Sequence, residues 1–300
     1  MQNKISITTT CSDKYFHLFE ELVDSIRRFS DSDTVDINVV KRGLSLENLK
    51  KLGNKIQNVS EIKSFVKNDS NPIDHAQLFI KDYFPGYEKY VFLDSDIWLN
   101  SWPVFKLLID STAKGKFAVS SMADRHQDNI MRVDWILRNF GLVKPQNLKH
   151  SIKLGVSSDI IKKISLKPHL NSGVTALDIK STFWDYWIKN YEYLNGLGKK
   201  NYCNSQLSLN YAVYVDEAPT NILPHYVNCM PNLRNVLFDT DKNIFREKYM
   251  PHDEIGFMHL AGGAKTKEDG IDFRFENKKI KIETLKGEIF YRSYRYKNPE

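Results

Sequence analysis

The chain has 300 residues, with 43 Lys or Arg against 37 Asp or Glu, a formal net charge of +6 and a 41% apolar fraction. That length and balance describe an α/β unit with room for an appended subdomain, and exclude a disordered or collagen-like chain. No run of 18 apolar residues occurs, so no membrane span is expected, and a charge of +6 without a clustered patch gives no reason to expect nucleic acid.

Cys11, Cys203 and Cys229 lie far apart and in no metal-binding spacing. Met1-Gln2-Asn3-Lys4 runs straight into a strand-like segment without signal-peptide architecture. Both features point to a reduced, cytoplasmic setting.

Along the first hundred residues strand and helix signals alternate, the pattern of a mostly parallel sheet. Ile5–Thr10 reads as a first strand. Asp13 is placed to cap a helix in which Phe16, Phe19, Val23 and Ile26 recur at helical spacing. Val35–Val40 reads as a second strand alternating by twos. Ala76–Phe84 reads as helical and leads through Pro85-Gly86 to the buried strand Tyr90–Leu93. Phe117–Ser120 is another short strand. From about Asp128 to Ser165 the periodicity weakens and lysines accumulate, which suggests an insertion or lid. Gly173–Asp178 is strand-like, Phe183–Tyr193 and Ser205–Tyr214 are helical, and Phe257–Leu260 is a late strand. No internal repeat or clean boundary appears, so we expect one catalytic domain over 1–265 and a basic, aromatic tail over 266–300.

The chemistry concentrates where Tyr90–Leu93 runs into Asp94-Ser95-Asp96. Two carboxylates one residue apart at the carboxyl edge of a sheet repel unless a cation or proton joins them. They fit a strand-end turn, a phosphatase of the Asp-x-Asp-x-Thr type, or a divalent-metal site holding a diphosphate. Trp98 stands where the phosphatase type expects a small residue. The second constellation is His259-Leu260-Ala261-Gly262-Gly263-Ala264-Lys265. Here a late strand delivers an imidazole, glycines permit close backbone approach, and a lysine follows. Alone it is equally a buried histidine beside a glycine turn. Joined to Asp94 and Asp96, it gives mixed oxygen and imidazole ligation, which favours Mn²⁺ over Mg²⁺.

Taken together and in order, these motifs resemble the retaining glycosyltransferases of family 8, the GT-A-fold group containing glycogenin and bacterial lipopolysaccharide glucosyl- and galactosyltransferases. Thr10-Cys11-Ser12-Asp13-Lys14-Tyr15 is similar to the family's opening Thr-x-x-x-x-Tyr loop. Leu93-Asp94-Ser95-Asp96 is similar to its Leu-Asp-x-Asp motif, and Asn171-Ser172-Gly173-Val174 to its Asn-Ser-Gly-Val segment. Gln206 and Asn210 fit its Asp-Gln-x-x-x-Asn helix, Leu223–Asn228 its Leu-Pro-x-x-x-Asn stretch, and His259, Gly262 and Lys265 its His-x-x-Gly-x-x-Lys motif.

The resemblance implies an α/β GT-A fold and transfer of a hexose from a UDP-sugar to a glycan or lipid-linked acceptor, as in lipopolysaccharide or other surface polysaccharide synthesis. It implies metal ligands Asp94, Asp96 and His259, and catalytic groups Gln206 and Asp124 beside the sugar. Donor contacts are implied at Thr8, Thr10, Tyr15, Gln77, Asp94, Ser95, Asn171, Ser172, Gly262 and Lys265. Tyr15 fits a stack on uracil or a place in the core equally. Two residues depart from the pattern: Ser205 replaces an Asp, and Gln77 replaces a cation. They keep open a catalytically silent UDP-sugar-binding protein. A nucleotidyltransferase ranks lower, because Thr10-Cys11-Ser12-Asp13 has no glycine to cradle phosphate. The tail segment Phe290–Lys297 interleaves aromatics with cations, which suits peripheral contact with the cytoplasmic membrane face or a segment docked on the domain.

Overall fold

The structure, a computed structural model, describes residues 4–66, 75–122, 131–134, 140–143, 146–199, 201, 203–231, 236–261 and 270–299. Strands β1 (Ile5–Cys11), β2 (Val35–Lys41), β3 (Asn58–Glu61), β4 (Lys89–Leu93), β5 (Ile97–Leu99) and β6 (Phe117–Ser121) alternate with helices through the first half. A hairpin of β7 (Met131–Asp134) and β8 (Phe140–Val143) follows. Then come β9 (Leu170–Asp178), β10 (Thr220–Leu223), β11 (Asn228–Cys229), β12 (Val236–Asp239), β13 (Ile244–Glu247), β14 (Phe257–His259), β15 (Ile280–Thr284) and β16 (Ile289–Arg292).

The central sheet has seven strands in the order β10-β6-β9-β4-β1-β2-β3. All run parallel except β9, which is antiparallel to both its neighbours. Two apolar layers enclose it. Along β4, Val91 and Leu93 join the layer containing Ile7, Phe19 and Phe105, while Tyr90 and Phe92 face Phe117, Phe183 and Trp187 on the other side. A strand covered on both faces reads as an unbroken apolar run, as Tyr90–Leu93 does. The same cover explains why β2 is buried from Val35 through Val40 instead of alternating: its polar Asn38 is also interior, donating to Ser6 Oγ at 2.8 Å.

One end of β9 shapes the site. Val119 of β6 pairs with Thr175, but the next residue, Ser120, pairs with Asn171, so Ser172, Gly173 and Val174 have no partner on β6. Such a bulge bends a strand and re-aims its side chains. It brings Asn171–Gly173 over the end of β4, where Asp94 N–H donates to Gly173 O at 2.9 Å. Beyond that turn β5 leaves the central sheet and pairs antiparallel with β14, setting Ile97 opposite His259, and β14 pairs parallel with β11.

Asp13 does not cap the helix Phe16–Arg27, a correction to the expectation from sequence. It opens a 3₁₀ turn over Asp13–Tyr15, and its carboxylate accepts from Ser45 N–H at 2.8 Å and Asn48 Nδ2 at 2.9 Å. An Asp side chain finds partners away from its own helix as readily as at its end, and here the first turn of the helix Leu46–Leu52, with its N-cap Ser45, supplies them.

The weakly patterned segment contains the β7–β8 hairpin and two helices, Gln146–Leu154 and Ser158–Ile164. Leu154, Val156 and Ile164 pack against Leu207 and Tyr211 of the helix Asn204–Tyr214. The segment's apolar stripe is too short to reveal itself by periodicity, yet it closes a small core of its own.

The C-terminal segment is docked. β15 and β16 complete a four-stranded sheet with β12 and β13. Arg295 forms a buried two-pronged pair with Glu21 of the first helix, and Arg292 lies over the rings of Phe238 and Phe245 at 4.5 and 4.6 Å. Burial, then Arg28, lowers the Arg292 pKa to about 10. Trp98 Nε1–H donates to Tyr294 O at 2.8 Å, so the end of the chain supports the strand that follows the paired carboxylates. Phe290 and Tyr291 remain exposed. Among the described residues no helix is long and apolar enough to cross a membrane.

Candidate functional site

Asp94 and Asp96 sit on the turn between β4 and β5, and strand pairing brings His259 to them from far along the chain. His259 Nε2 lies 3.6 Å from Asp94 Oδ2 and 3.4 Å from Asp96 Oδ1, and one ligand atom from each of the three residues lies within 4.8 Å of the others. His259 is almost fully buried, while Asp94 is about two-fifths exposed, so the cluster is solid on one side and open on the other.

The orientation of the imidazole follows from one backbone group. Gly173 N–H can only donate, and it does so to Asn171 Oδ1 at 2.8 Å. Asn228 Nδ2 donates to the same oxygen at 2.9 Å, which turns Asn228 Oδ1 towards His259 Nδ1 at 3.0 Å. The proton therefore belongs on Nδ1, and the Nε2 lone pair faces the two carboxylates. A lone pair opposite two anions is unfavourable unless a cation or a proton lies between them. The titration of the histidine expresses that demand: burial opposes its charge, but Asp96 and then Asp94 outweigh burial and raise its pKa above the ordinary histidine range. Asp96 is shifted the opposite way; burial would raise its pKa, and His259 overcomes this and lowers it. Hard carboxylate oxygens and one imidazole nitrogen, with an open side for further ligands, fit a divalent metal ion.

Gly173 is required here for space. A Cβ on it would come within 2.5 Å of His259 Cε1 and 2.6 Å of Asp94 Oδ2. The glycine lets the bulged strand lie directly against the cluster.

Beside the cluster, Ser172 Oγ–H donates to Gln206 Oε1 at 3.4 Å, which joins two of the residues expected near the sugar. Asn210, one turn further along the helix, clamps that helix to β9. It accepts from Leu170 N–H at 2.9 Å and donates to Leu170 O at 3.1 Å. Asn171 has its carbonyl oxygen occupied by Gly173 and Asn228, leaving its Nδ2 as the group available to a ligand. Ser95 lies on the turn between the two acids and is partly exposed, as is Thr10 at the end of β1.

Thr8 is fully buried within β1, with its hydroxyl 3.0 Å from Ser6 Oγ. Gln77 is also buried, and its Oε1 has no hydrogen-bond partner among the described residues. Tyr15 is half-buried, its ring 5.9 Å from that of Phe275, with Lys14 Nζ 5.3 and 5.2 Å from the two ring centres. Asp124, Gly262 and Lys265 lie outside the described residues.

Sequence reading missed Arg274 and Phe275, which follow the glycine-rich motif in a stretch without periodicity. Arg274 pairs with Asp272 at 2.7 Å, its guanidinium carbon lies 5.2 Å from the Phe275 ring centre, and its charge is felt by both Asp96 and His259. No pattern marks such a residue in advance, because only the docking of the C-terminal segment brings it to the site.

No protein-family model matches the chain, and no curated protein matches its sequence. Among solved structures it is similar to the bifunctional glycosyltransferase WbbM in its apo form, with a TM-score of 0.55 and 18% identity over 75% of this chain; the chain spans 40% of that protein's length. It is similar to the galactosyltransferase LgtC in complex with donor and acceptor sugar analogues, with a TM-score of 0.50 and 14% identity over 87% of this chain and 88% of that one. Mouse xyloside xylosyltransferase 1, in its apo form, matches with a TM-score of 0.50 and 10% identity over 86% and 97% of the two chains. At such identities the likeness carries the fold, which is the GT-A arrangement of an α/β unit around a mostly parallel sheet.

Proposed function

We propose that the chain is a metal-dependent glycosyltransferase that moves a hexose from a UDP-sugar to a glycan or lipid-linked acceptor, with retention of configuration. The observation that carries this reading is the Asp94, Asp96 and His259 cluster, with the Nε2 lone pair aimed between two carboxylates at the carboxyl edge of a parallel sheet and Gln206 held beside it. A divalent ion bound there, Mn²⁺ in preference to Mg²⁺, would hold the donor diphosphate and offset the charge that builds on it as the sugar leaves.

The remaining roles belong to the residues around the ion. Tyr15 and Phe275 offer aromatic faces for uracil, and Thr10 and Gln77 polar contacts to the donor. Arg274, with Lys265 and Gly262, lines the diphosphate. Asn171 Nδ2, Ser172 and Asp124 hold the sugar hydroxyls. Gln206 Oε1 faces the anomeric carbon, where its partial negative charge steadies an oxocarbenium-like transition state. The departing phosphate oxygen takes the acceptor's proton, so no separate base is needed. With Arg292 and Arg295 engaged inside the domain, any contact with the cytoplasmic membrane face falls to the exposed Phe290 and Tyr291.

The test is hydrolysis of UDP-, GDP- and CDP-sugars without acceptor, in Mn²⁺ and in excess chelator. Slow release of UDP from one sugar, abolished by chelator, is expected. Tight, metal-dependent UDP binding without turnover, even with glycan acceptors supplied, would make the chain a binding protein. Absence of nucleotide binding would overturn the reading of the site.

A further inference from the structure

A second chain of buried hydrogen bonds ends on Gln206, and its direction is also fixed by the backbone. Asn147, on the helix Gln146–Leu154, is 1% exposed and its Nδ2 donates to the carbonyl oxygen of Lys167 at 3.2 Å. A carbonyl oxygen only accepts, so the amide must turn its nitrogen to Lys167 and its oxygen the other way. That oxygen lies 2.6 Å from His169 Nδ1, which is a hydrogen bond only when Nδ1 carries the proton. His169 Nε2 is then a bare lone pair, and Gln206 Nε2–H donates to it. The carbonyl end of Gln206 is thereby directed away from His169 and towards Ser172, next to Gly173 and the metal cluster. Asn147, His169 and Ser172 are buried; Gln206, the last member, is partly exposed.

We propose that His169, its tautomer set by Asn147, is the positioning residue that keeps the carbonyl end of Gln206 towards the donor sugar. This rests on the transferase reading and deepens it. The two ends of an amide carry opposite partial charges. Oε1 stabilises positive charge at the anomeric carbon, whereas a reversed amide would present N–H groups and oppose it. A glutamine side chain by itself has no reason to prefer one end. The opposite tautomer of His169 would place an N–H against the Gln206 amide and turn it round. His169 lies just before Asn171-Ser172-Gly173 in sequence, and in this proposal it acts on the sugar through Gln206.

The experiment combines a double-mutant cycle with a direct reading of the tautomer. His169→Phe keeps ring volume and removes both nitrogens. Asn147→Ala leaves His169 in place and removes its orientation, which guards against a loss due to misfolding of the first variant. Each is expected to lower kcat about 10–100-fold, the usual cost of losing an outer orienting partner, with donor KM nearly unchanged. In a Gln206→Ala background, His169→Phe is expected to cost nothing further, since its target is gone. Long-range ¹H–¹⁵N NMR of histidine-labelled protein should show His169 as the Nδ1–H tautomer. Additive losses in the cycle, full kcat in both single variants, or an Nε2–H tautomer would overturn the proposal. The NMR reading does not depend on turnover. An Nδ1–H tautomer in a protein that turns over no sugar nucleotide would overturn the transferase reading, and with it the relay's role, while its polarity stood.

Discussion

The proposed metal side and the proposed sugar side of the site solve one problem with opposite anchors. Each must fix a side chain whose two polar ends are nearly the same shape. On the metal side the fixed group is a backbone donor, Gly173 N–H, and the order passes through Asn171 and Asn228 to the imidazole of His259. On the sugar side it is a backbone acceptor, Lys167 C=O, and the order passes through Asn147 and His169 to the amide of Gln206. The metal side is built from strands β4, β5, β9, β11 and β14 and the turns between them. The sugar side draws on the helix Gln146–Leu154, which packs on the helices Ser158–Ile164 and Asn204–Tyr214. Backbone groups are fixed by covalent structure, so they orient neighbours that cannot orient themselves; the elements carrying them decide how firmly.

If the metal side governs turnover directly, Asp96→Asn should have the largest effect. The change alters little volume but removes an anionic ligand, and turnover should fall by at least about 10²–10³ with the thermal unfolding midpoint retained. A folded Asp96→Asn protein with full turnover would break the metal assignment.

Asn228→Leu should come next. It leaves all three ligands but frees the ring of His259, and metal affinity measured by calorimetry should drop about 10–100-fold. The same variant should leave the His169 tautomer unchanged, which separates the two relays. A parallel change at His169 would mean that they form one network.

The smallest effect is graded with pH. In the metal-free protein Asp96 and Asp94 raise the His259 pKa, so a proton competes with the ion over a wider pH range than at an ordinary histidine. Metal affinity should be highest above that raised pKa and fall about tenfold per unit as pH drops below it, with one proton released per ion bound. Affinity independent of pH across that range would remove His259 from the ligand set.

Much of this was legible beforehand. The strand Tyr90–Leu93, the acids that end it, the late strand bearing His259 and the helix bearing Gln206 all appear where local pattern puts them. Other features were not. Thr8, a donor contact only by resemblance, is fully buried within β1. Asp13 looked like the cap of its own helix but is satisfied by the start of the helix Leu46–Leu52. The helices of the 128–165 segment are too short to show a clear period, and its core is completed by Leu207 and Tyr211 from another helix.

By itself, the sequence determined the alternation of elements and the chemical types at the site, because strand and helix periods and the Asp-Ser-Asp turn are local properties of the chain. The tertiary structure decided which nitrogen of His259 faces the acids, which end of Gln206 faces Ser172, and that Arg274 joins them. Those are questions of direction and distance between segments far apart in sequence, settled only when the bulge in β9, the pairing of β5 with β14 and the docked C-terminal segment bring their partners within hydrogen-bond reach.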